Sequence, residues 1–437
     1  MTRRKQRGRN RARAAATRAR ACLERIVGRV RRQPLTHNRD YMLLWTGSTV
    51  SALGSQVSTV AYPLLILALT GSAAKAGIVG LAKWLPLALF SLPAGVLADR
   101  VDRKRLMIGC DTIRALALAS IPVALWLGRP SYLQIDGVAF LDGALFETTF
   151  VCERGALSRV VPAEQLPEAV AQTQAREFAA ILAGPPLGGL LFAASRTLPF
   201  LADAGSFLAS VLGLSLTRGD FQAERTARHK TWSEPIEGIR WLWRRPFFRA
   251  TALLFSAGNP YFTGLYLLAI LLAKHHGASS AAIGAMFAIA GAGGVAGALL
   301  AGPLLKRVSL RTALLSGNWL LAAGAPALLL VHSAILIGMV IALAELLTPL
   351  VNALVTGARV AATPDGLQGR VQAGATTIAM SIGWLGPLAV GVVFGAAGPT
   401  ATILLAFGWA LALALVTTFV PSLREGPMVP EPAVAEA

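Results

Sequence analysis

Charged residues are scarce in this sequence of 437 residues. Asp, Glu, Lys and Arg together make up 14% of it, whereas hydrophobic residues make up 54%. This composition, with a mean hydropathy of +0.58, excludes an ordinary soluble domain, in which roughly 25% of residues are charged. Strict alternation of polar and apolar residues is also absent, which excludes an outer-membrane β-barrel. The sequence therefore predicts a helical membrane protein.

Residues that carry enzyme chemistry are equally sparse. The three cysteines have no metal-ligand spacing: Cys22, Cys110 and Cys152. The five histidines lie in tails, loops or the ends of apolar runs: His37, His229, His275, His276 and His332. No Walker motif with its phosphate-binding lysine is present, which excludes ATP as the energy source. The run IAGAGGVAGALLAG from Ile289 follows no strand, so it indicates helix packing rather than a dinucleotide loop. We therefore expect no enzyme activity, no metal site and no cofactor.

Apolar runs long enough to cross a bilayer, which takes about 20 residues, recur along the whole chain. Twelve spans are predicted: 41–69, 76–98, 104–127, 133–157, 168–194, 198–217, 250–273, 280–305, 311–331, 334–356, 371–396 and 399–420. They predict an all-α membrane protein with two six-helix bundles. The predicted units are a basic tail, an N-terminal bundle, a linker, a C-terminal bundle and a second tail: 1–39, 40–217, 218–249, 250–420 and 421–437. Within the linker, Ile236 to Trp243 is amphipathic and is predicted to lie on the membrane surface.

The net charge of +19 is unevenly distributed. The first 39 residues hold fourteen Lys and Arg residues against one acid, Glu24. Further basic residues sit in every second loop: Arg100, Arg103, Lys104, Arg105, Arg240, Arg244, Arg245, Lys306, Arg307 and Arg311. Because positive loops mark the cytoplasmic side, we expect both termini to be cytoplasmic in a multi-pass protein of the cell membrane.

The basic tail has more than one interpretation. A solvated extension that touches anionic lipid headgroups explains it without further assumptions. A nucleic-acid-binding arm is disfavoured because no aromatic residues lie among the arginines, so nucleic acid is not a predicted partner. A start codon assigned too far upstream would also account for it. A twin-arginine signal is excluded because no apolar segment follows directly.

An internal repeat divides the chain. AGVLADRV from Ala94 recurs as AGPLLKRV from Ala301, 207 residues later, with five of eight positions identical. Both copies follow the second span of a six-span set. Duplicated halves around a midplane site are typical of secondary transporters.

The loop sequence GVLADRVDRKR resembles the signature between the second and third helices of the major facilitator superfamily. The first span with its flanks, LTHNRDYMLLWTGSTVSALGSQVSTVAYPLLILALTGS, is similar to the exporter branch that includes enterobactin exporters and macrolide-efflux proteins. LDG at 141–143 and GPPLGG at 184–189 are also similar. The resemblance covers about residues 36–420. It implies the major facilitator fold and a monomer that exports a small amphiphilic molecule in exchange for protons by alternating access.

Six of the seven residues from Asp99 to Arg105 are charged. An acid at a helix C-terminus is unfavourable by itself, because the helix dipole is already negative there. The resemblance implies a latch that closes the cytoplasmic side against the start of the eleventh span, near Arg370 and Val371. The implied latch residues are Gly95, which would let two helices approach closely, Asp99, Arg100, Arg103 and Lys104. A plain topogenic loop is the alternative, but it leaves Asp99 unexplained. The second copy has Lys306 at this position, so the latch would be asymmetric.

The GPPLGG stretch in the fifth span resembles a motif of proton-exchanging exporters. Adjacent prolines kink a helix, and the flanking glycines permit close packing. The match is partial because small residues such as Ala180 replace upstream glycines of the longer motif. The motif residues are Gly184, Pro185, Gly188 and Gly189, and plain helix packing is the alternative explanation for them.

Ionisable residues inside the predicted spans each cost about 2.5–3.5 kcal/mol at a helix centre, so they should face protein or water. Asp111 and Arg114 lie three residues apart and predict a structural ion pair. Asp142 and Glu147, about 140° apart around the fourth span, cannot both point into one cavity. Further candidates for binding protons or substrate are Glu345, Asn259 and Gln56. Many relatives carry an acid where this chain has Ser55, which argues against a proton site there.

Glu147 and Glu345 are the predicted pair that carries protons or a cationic substrate group. They lie near the midplane of the fourth and tenth spans, which correspond between the halves. The alternative is that each acid pairs with an arginine, such as Arg114, for structure alone. Uptake or uniport through the same fold remains open as a function. A non-transporting sensor is a weaker alternative, because it would not need carboxylates in cavity-facing helices.

Overall fold

A computed structural model describes residues 34–219, 221–222 and 233–425, and every regular element in these ranges is helical. The all-α prediction is confirmed. The first half consists of six helices: α1 (Arg39–Thr70), α2 (Ala73–Arg100), α3 (Arg103–Trp126), α4 (Tyr132–Val160), α5 (Leu166–Ala194) and α6 (Leu198–Leu216). Most of the basic tail with Cys22, part of the linker with His229 and the end of the C-terminal tail lie outside the described residues.

A linker helix, α7 (Ser233–Trp243), connects to the second half. That half consists of α8 (Pro246–His275), α9 (Ser280–Leu305), α10 (Leu310–Ala327), α11 (Ala334–Glu345), α12 (Thr348–Ala362), α13 (Gln368–Met380) and α14 (Leu385–Phe419), followed by the short α15 (Pro421–Glu425). The glycine-rich run from Ile289 lies inside the continuous helix α9. This position agrees with the prediction that the run serves helix packing.

The predicted tenth and eleventh spans are each interrupted. The tenth breaks at Leu346 and Leu347, between α11 and α12, and the eleventh breaks between Met380 and Leu385. The boundary between the eleventh and twelfth spans is Gly398, whose φ of 79° is non-helical and is followed by Pro399 within α14. Nine segments of the described residues are long and apolar enough to cross a membrane, so the count of twelve spans stays a prediction.

Short polar caps explain where several helices begin. Ser72, Ser279 and Ser309 each accept a hydrogen bond from the backbone N–H three residues later, which satisfies one of the donors left open at a helix N-terminus. Asp102 caps α3 in the same way, through the backbone N–H of Arg105 at 2.8 Å. The second acid of the DRVDRKR stretch is therefore a helix cap.

The two halves meet along two helix pairs, α2 with α14 and α5 with α9. Glycines stand at both crossings: a Cβ added at Gly77 would lie 2.6 Å from the carbonyl oxygen of Pro387, and one added at Gly284 would lie 2.7 Å from that of Pro186. Both contacts lie near the helix ends that point away from the basic loops. Small residues let the backbones of the two halves touch there.

The linker helix α7 packs on the second half, but Ile236 and Trp243 are exposed, so its predicted position on the membrane surface stays a prediction. Trp241 and Leu242 are buried in a cluster with Phe248 and Val371. Gly238 lies against the backbone of Arg370, where any larger side chain would collide. The linker therefore docks onto the start of α13.

Candidate functional site

A cluster of charged side chains lies inside the first bundle. The guanidinium of Arg114 donates to Asp142 at 2.8 Å and lies 3.6 Å from Asp111. Lys83 from α2 forms an ion pair with Asp142 from the opposite direction. Asp111, Arg114 and Asp142 are at most 1% exposed. The spacing of Asp111 and Arg114 thus brings them together as predicted, but Asp142 is the stronger partner of Arg114.

Local packing explains how these groups reach one another. Gly143, the glycine of LDG, faces the backbone of Lys83, where an added Cβ would lie 2.5 Å from the carbonyl oxygen. Without a side chain at Gly143, α4 and α2 approach closely enough for Lys83 to bind Asp142. The guanidinium of Arg114 also lies 3.9 Å from the ring centroid of Phe207, a cation–π contact that stabilises a buried arginine.

A second acid, Asp203 on α6, is buried beside this cluster and is 0% exposed. Its carboxylate accepts a hydrogen bond from the hydroxyl of Ser58 at 2.5 Å. The hydroxyl of Ser206, 3.2 Å from the carboxylate, shares its proton with the backbone carbonyl oxygen of Asp203 at 2.7 Å. No basic group of the described residues lies within 4 Å of it. The carboxylate of Asp203 is therefore stabilised by hydroxyl groups, whereas that of Asp142 is stabilised by cations.

A cavity of about 170 Å³ opens beside this cluster. Its lining combines serines of α1 and α6 with charged residues of α3, α4 and α5, among them Ser51, Ser55, Gln56, Asp111, Arg114, Glu153, Arg176 and Ser210. Glu153 and Arg176 form an ion pair of 2.7 Å on its wall. The predicted candidate Gln56 thus lies at this cavity, whereas Glu147 does not line it.

A larger cavity of about 340 Å³ lies within the second bundle. Its lining is mostly apolar and contains one acid, Glu345, together with the amides Asn259, Asn318 and Asn352. Glu345 ends α11 and lies beside the hydroxyl of Thr348, the first residue of α12. No basic group of the described residues lies within 4 Å of Glu345. This site fits the size range of small-molecule pockets, roughly 300–1,000 Å³.

The interruptions of the tenth and eleventh spans border this second cavity. Ala344 and Leu347 on one side and Ala379 and Met380 on the other line it. Asn259 donates to the carbonyl oxygen of Ala379 at 2.8 Å. Another carbonyl oxygen that the interruption leaves without a helical partner, that of Gly383, also accepts a hydrogen bond from a side chain. Interrupted helices that line a cavity are a feature of substrate sites in transporters.

The two cavities occupy equivalent places in the repeat. Ser210 donates to Asp111 at 2.7 Å in the first half, and Asn318 donates to Thr417 at 3.1 Å in the second. Each residue of the second pair lies 207 positions after its counterpart. The same polar contact is therefore charged in one half and neutral in the other.

The remaining predicted acid, Glu147, is partly buried on α4 and lines neither cavity. Arg154 acts electrostatically on its carboxylate, and Arg114 is engaged by Asp142 and Asp111 instead. The structure therefore does not bring Glu147 and Glu345 together, nor does it pair Glu147 with Arg114.

The loop between α2 and α3 binds helix ends. Arg103 donates to Asp99 at 3.1 Å and to the carbonyl oxygen of Ala98 at 3.2 Å. Lys104 donates to the carbonyl oxygen of Thr217, near the end of α6, at 2.7 Å. These bases supply positive charge at helix C-termini. Arg100 of the predicted latch is exposed, and α2 also contacts α13.

Gly95 does not have its predicted role, the close approach of two helices, in this structure. A Cβ added there would meet no atom of the described residues within 4 Å. No neighbouring helix therefore needs this glycine in the arrangement seen here.

The GPPLGG stretch lies inside α5, which is continuous through Pro185 and Pro186. Its glycines have packing roles: Gly184 lies against Gln56, Gly188 against the backbone of Val57, and Gly189 against Gly284 of the other half. The motif therefore seats α5 on α1 and on α9.

Three histidines gather at the loops opposite the basic ones. The ring centroids of His275 and His276 are 5.4 Å apart, and those of His276 and His332 are 4.9 Å apart. Burial lowers the pKa of His276, and His332 and His275 lower it further. No group of three or more His, Cys, Asp or Glu side chains in the described residues is arranged to hold a metal ion.

Sequence reasoning missed two members of the charged cluster, Lys83 and Asp203. Each is a single charge in an apolar run, and each has its partners on other helices. A signal was present on α1, where Ser48, Ser51, Ser55 and Ser58 follow helical spacing and mark a polar face.

Comparisons with known proteins agree with this architecture. A family model described as transmembrane secretion effector matches residues 32–431. The multidrug efflux pump Tap of Mycolicibacterium fortuitum is 26% identical over 418 residues, covering 91% of this chain and 99% of its own. Macrolide efflux protein A of Streptococcus pyogenes is 30% identical over 155 residues, covering 35% of this chain and 38% of its own. The crystal structure of the nucleoside transporter NupG (D323A mutant) superposes with a TM-score of 0.69 at 12% identity, covering 87% of this chain and 99% of its own.

Proposed function

The chain belongs to the transmembrane secretion effector family of the major facilitator superfamily, and from this membership we propose that it exports a small amphiphilic molecule across the cell membrane in exchange for protons. The predicted resemblance to the exporter branch is confirmed. The chain is a multi-pass membrane protein of a family of transporters. Its basic loops and tail favour cytoplasmic termini.

The observation that carries the proposal is the set of charged groups buried within the first bundle. Placing such groups inside a membrane protein is costly, and ion or substrate pathways are where they are usually retained. A bundle with no role beyond structure would be as stable with apolar residues at Arg114 and Asp142. The attraction between two buried charges rarely exceeds the cost of removing both from water. A role in binding protons accounts for their presence.

The second cavity supports a small-molecule cargo. Its apolar lining suits an amphiphile, and the carboxylate of Glu345 offers one site for a cationic group of the substrate. The relatives named as multidrug and macrolide efflux proteins support export as the direction. Glu345 remains our candidate for this role, whereas Glu147, the other predicted acid, lines neither cavity.

Alternating access needs a device that holds one side closed. Asp99 with Arg103, at the end of α2, is our candidate for that latch on the cytoplasmic side. The glycine contacts of Gly77 and Gly284 would close the opposite side. A transporter that exchanges substrate for protons would pass between the two closures.

Transport into inside-out vesicles tests the proposal. A panel of radiolabelled or fluorescent amphiphiles that includes a macrolide is offered to vesicles with and without the protein, under an inside-acid pH gradient. We expect uphill accumulation that collapses with a protonophore and does not respond to ATP. Accumulation that persists without the gradient would refute proton exchange, and simple equilibration would favour a facilitator.

A further inference from the structure

We propose that Asp203 is the acid that binds the exchanged proton, and that a seam of serine hydroxyls between α1 and α6 connects it to the cavity of the first bundle. The inference deepens the proposed exchange of substrate for protons and rests on that function. It assigns the proton to a residue that none of the sequence motifs contains.

The charge balance of the buried cluster requires one proton. Lys83 and Arg114 supply two positive charges, while Asp111, Asp142 and Asp203 supply three negative ones. An uncompensated charge in an apolar interior is so unfavourable that the group neutralises instead. One of the three acids is therefore protonated when the cluster is closed to water.

The contacts decide which acid holds that proton. Asp142 binds both Lys83 and Arg114, and Asp111 has Arg114 within 3.6 Å. Asp203 has hydroxyl partners alone, Ser58 and Ser206. Because a nearby cation favours the ionised form of an acid, protonation is least costly at Asp203.

The charged groups around Asp203 come from every side of the bundle. Asp142, Arg114 and Lys83 act on its carboxylate electrostatically. Tyr62 of α1 lies within the same field, and its buried hydroxyl has no hydrogen-bond partner among the described residues. Any shift of Arg114 or Lys83 relative to Asp142 therefore changes the proton affinity of Asp203.

The path to this acid follows small polar residues. On α1, Ser51 and Ser55 line the cavity, and Ser58 continues the same helix face to Asp203. On α6, Ser210 lines the cavity, and Ser206 continues that face. Neighbours at this spacing are about 5–6 Å apart at Cβ, a distance that one bridging water spans.

Gly54 makes the close approach of α6 possible. A Cβ added there would collide with the hydroxyl of Ser206 and would lie 2.6 Å from a carboxylate oxygen of Asp203. The glycine of the SALG stretch thus seats Asp203 against α1.

The proposed step is a simple proton transfer. A hydronium ion in the cavity gives up one proton and becomes water. Each hydroxyl and bridging water of the seam accepts one proton as it passes one on, and a new O–H bond forms at a carboxylate oxygen of Asp203. No other bond forms or breaks. Movement of Arg114 toward the acid during transport would favour its ionised form and release the proton.

Infrared difference spectroscopy on the purified protein tests the assignment directly. A protonated carboxyl has a C=O stretching band that an ionised one lacks. We expect Asp203→Asn to lose a component of this band that the parent shows at neutral pH, and Asp102→Asn, which changes an exposed acid outside the cluster, to leave that component in place. An unchanged band in Asp203→Asn would overturn the proposal, whether or not transport is coupled to protons.

A second variant and a transport measurement complete the test. Ser58→Ala with Ser206→Ala keeps the acid but removes its hydroxyl donors, so the frequency of the same component should shift. In vesicles, Asp203→Asn should lose gradient-driven export and keep substrate counterflow without a gradient. A parent that ignores the proton gradient would refute the proposed function, whereas a gradient-driven Asp203→Asn would refute this inference alone.

Discussion

Glu147 and Glu345 differ in their surroundings, although the sequence places both near the middle of a span. Glu345 lines a cavity of about 340 Å³ at the break between α11 and α12, whereas Glu147 lines neither cavity. We expect Glu345→Gln to reduce gradient-driven transport strongly, since it removes the one acid of that cavity. Glu147→Gln should change transport less. Energised transport and substrate counterflow in vesicles, normalised to protein amount, measure both effects.

The pattern of results separates the roles of Glu345. We expect loss of both energised transport and counterflow, which indicates that the carboxylate binds a cationic group of the substrate. Loss of energised transport with retained counterflow would instead indicate that Glu345 carries protons and would contradict the division between the bundles. Parent-like pumping by both variants would show that neither glutamate has the predicted role, and Asp142 would then be the next acid to test.

At the scale of single residues, sequence spacing revealed partners on one helix but not between helices. Asp111 and Arg114 lie three residues apart, so their proximity follows from helix geometry. Lys83 and Asp142 are separated by 59 positions and meet because α2 packs on α4 at Gly143. No periodicity in either helix encodes that encounter.

Among structural elements, a substitution at the end of α2 tests whether this region is the cytoplasmic latch. Asp99 accepts a hydrogen bond from Arg103 at 3.1 Å, and α2, the helix of Asp99, also contacts α13. Asp99→Asn weakens this charged contact, so the cytoplasm-open population should increase. We expect lower transport at normal membrane expression, together with faster labelling of a cavity cysteine from the cytoplasmic side.

Asp102→Asn is the matched control for the latch. Asp102 lies in the same loop, but it caps α3 through Arg105, and asparagine is an equally good cap. Equal labelling of Asp99→Asn and the parent, with equal transport, would rule the latch out.

A substitution at the crossing of α5 and α9 tests whether the two halves close there, on the side away from the basic loops. Gly284→Ala would place a methyl group 2.7 Å from the carbonyl oxygen of Pro186, and overpacking of this kind costs about 1–3 kcal/mol. We expect a larger fraction of molecules open on the side away from the basic loops, measured by impermeant thiol labelling of a cysteine at Gln56. Gly294→Ala in the same helix has open space and should leave labelling unchanged, so equal effects of the two variants would contradict the prediction.

The sequence predicted the positions of helices better than it predicted whether a helix is continuous. The predicted spans 104–127, 198–217 and 280–305 differ by at most one residue per end from α3, α6 and α9. The breaks at Leu346 and near Gly383 were not predicted, because both lie in apolar runs where hydropathy does not change. They persist because contacts from other helices satisfy the backbone, such as Thr263 donating to the carbonyl oxygen of Gly383 at 2.6 Å.

For the molecule as a whole, the repeat explains both the symmetry and its violation. The two bundles share the polar contact of Asp111 with Ser210 and of Asn318 with Thr417. Leu321 stands 207 positions after Arg114, so the second half has neither the acid nor its arginine. Duplication preserved the packing while charge remained in one half, which assigns proton chemistry and cargo binding to different bundles in our proposal.

Transferring the neutral pair into the first half tests that division. Arg114→Leu alone leaves Asp111 and Asp142 short of a cation, and breaking a buried pair in this way costs about 3–5 kcal/mol. Arg114→Leu with Asp111→Asn copies the second half and keeps Lys83 with Asp142, so we expect it to regain much of the lost thermal stability while gradient-driven transport stays absent. Thermal unfolding in detergent and vesicle transport measure the two properties separately. A double variant no more stable than Arg114→Leu would contradict the equivalence of the two sites, and one that still pumps against a gradient would show that the charge of the first bundle is not needed for coupling.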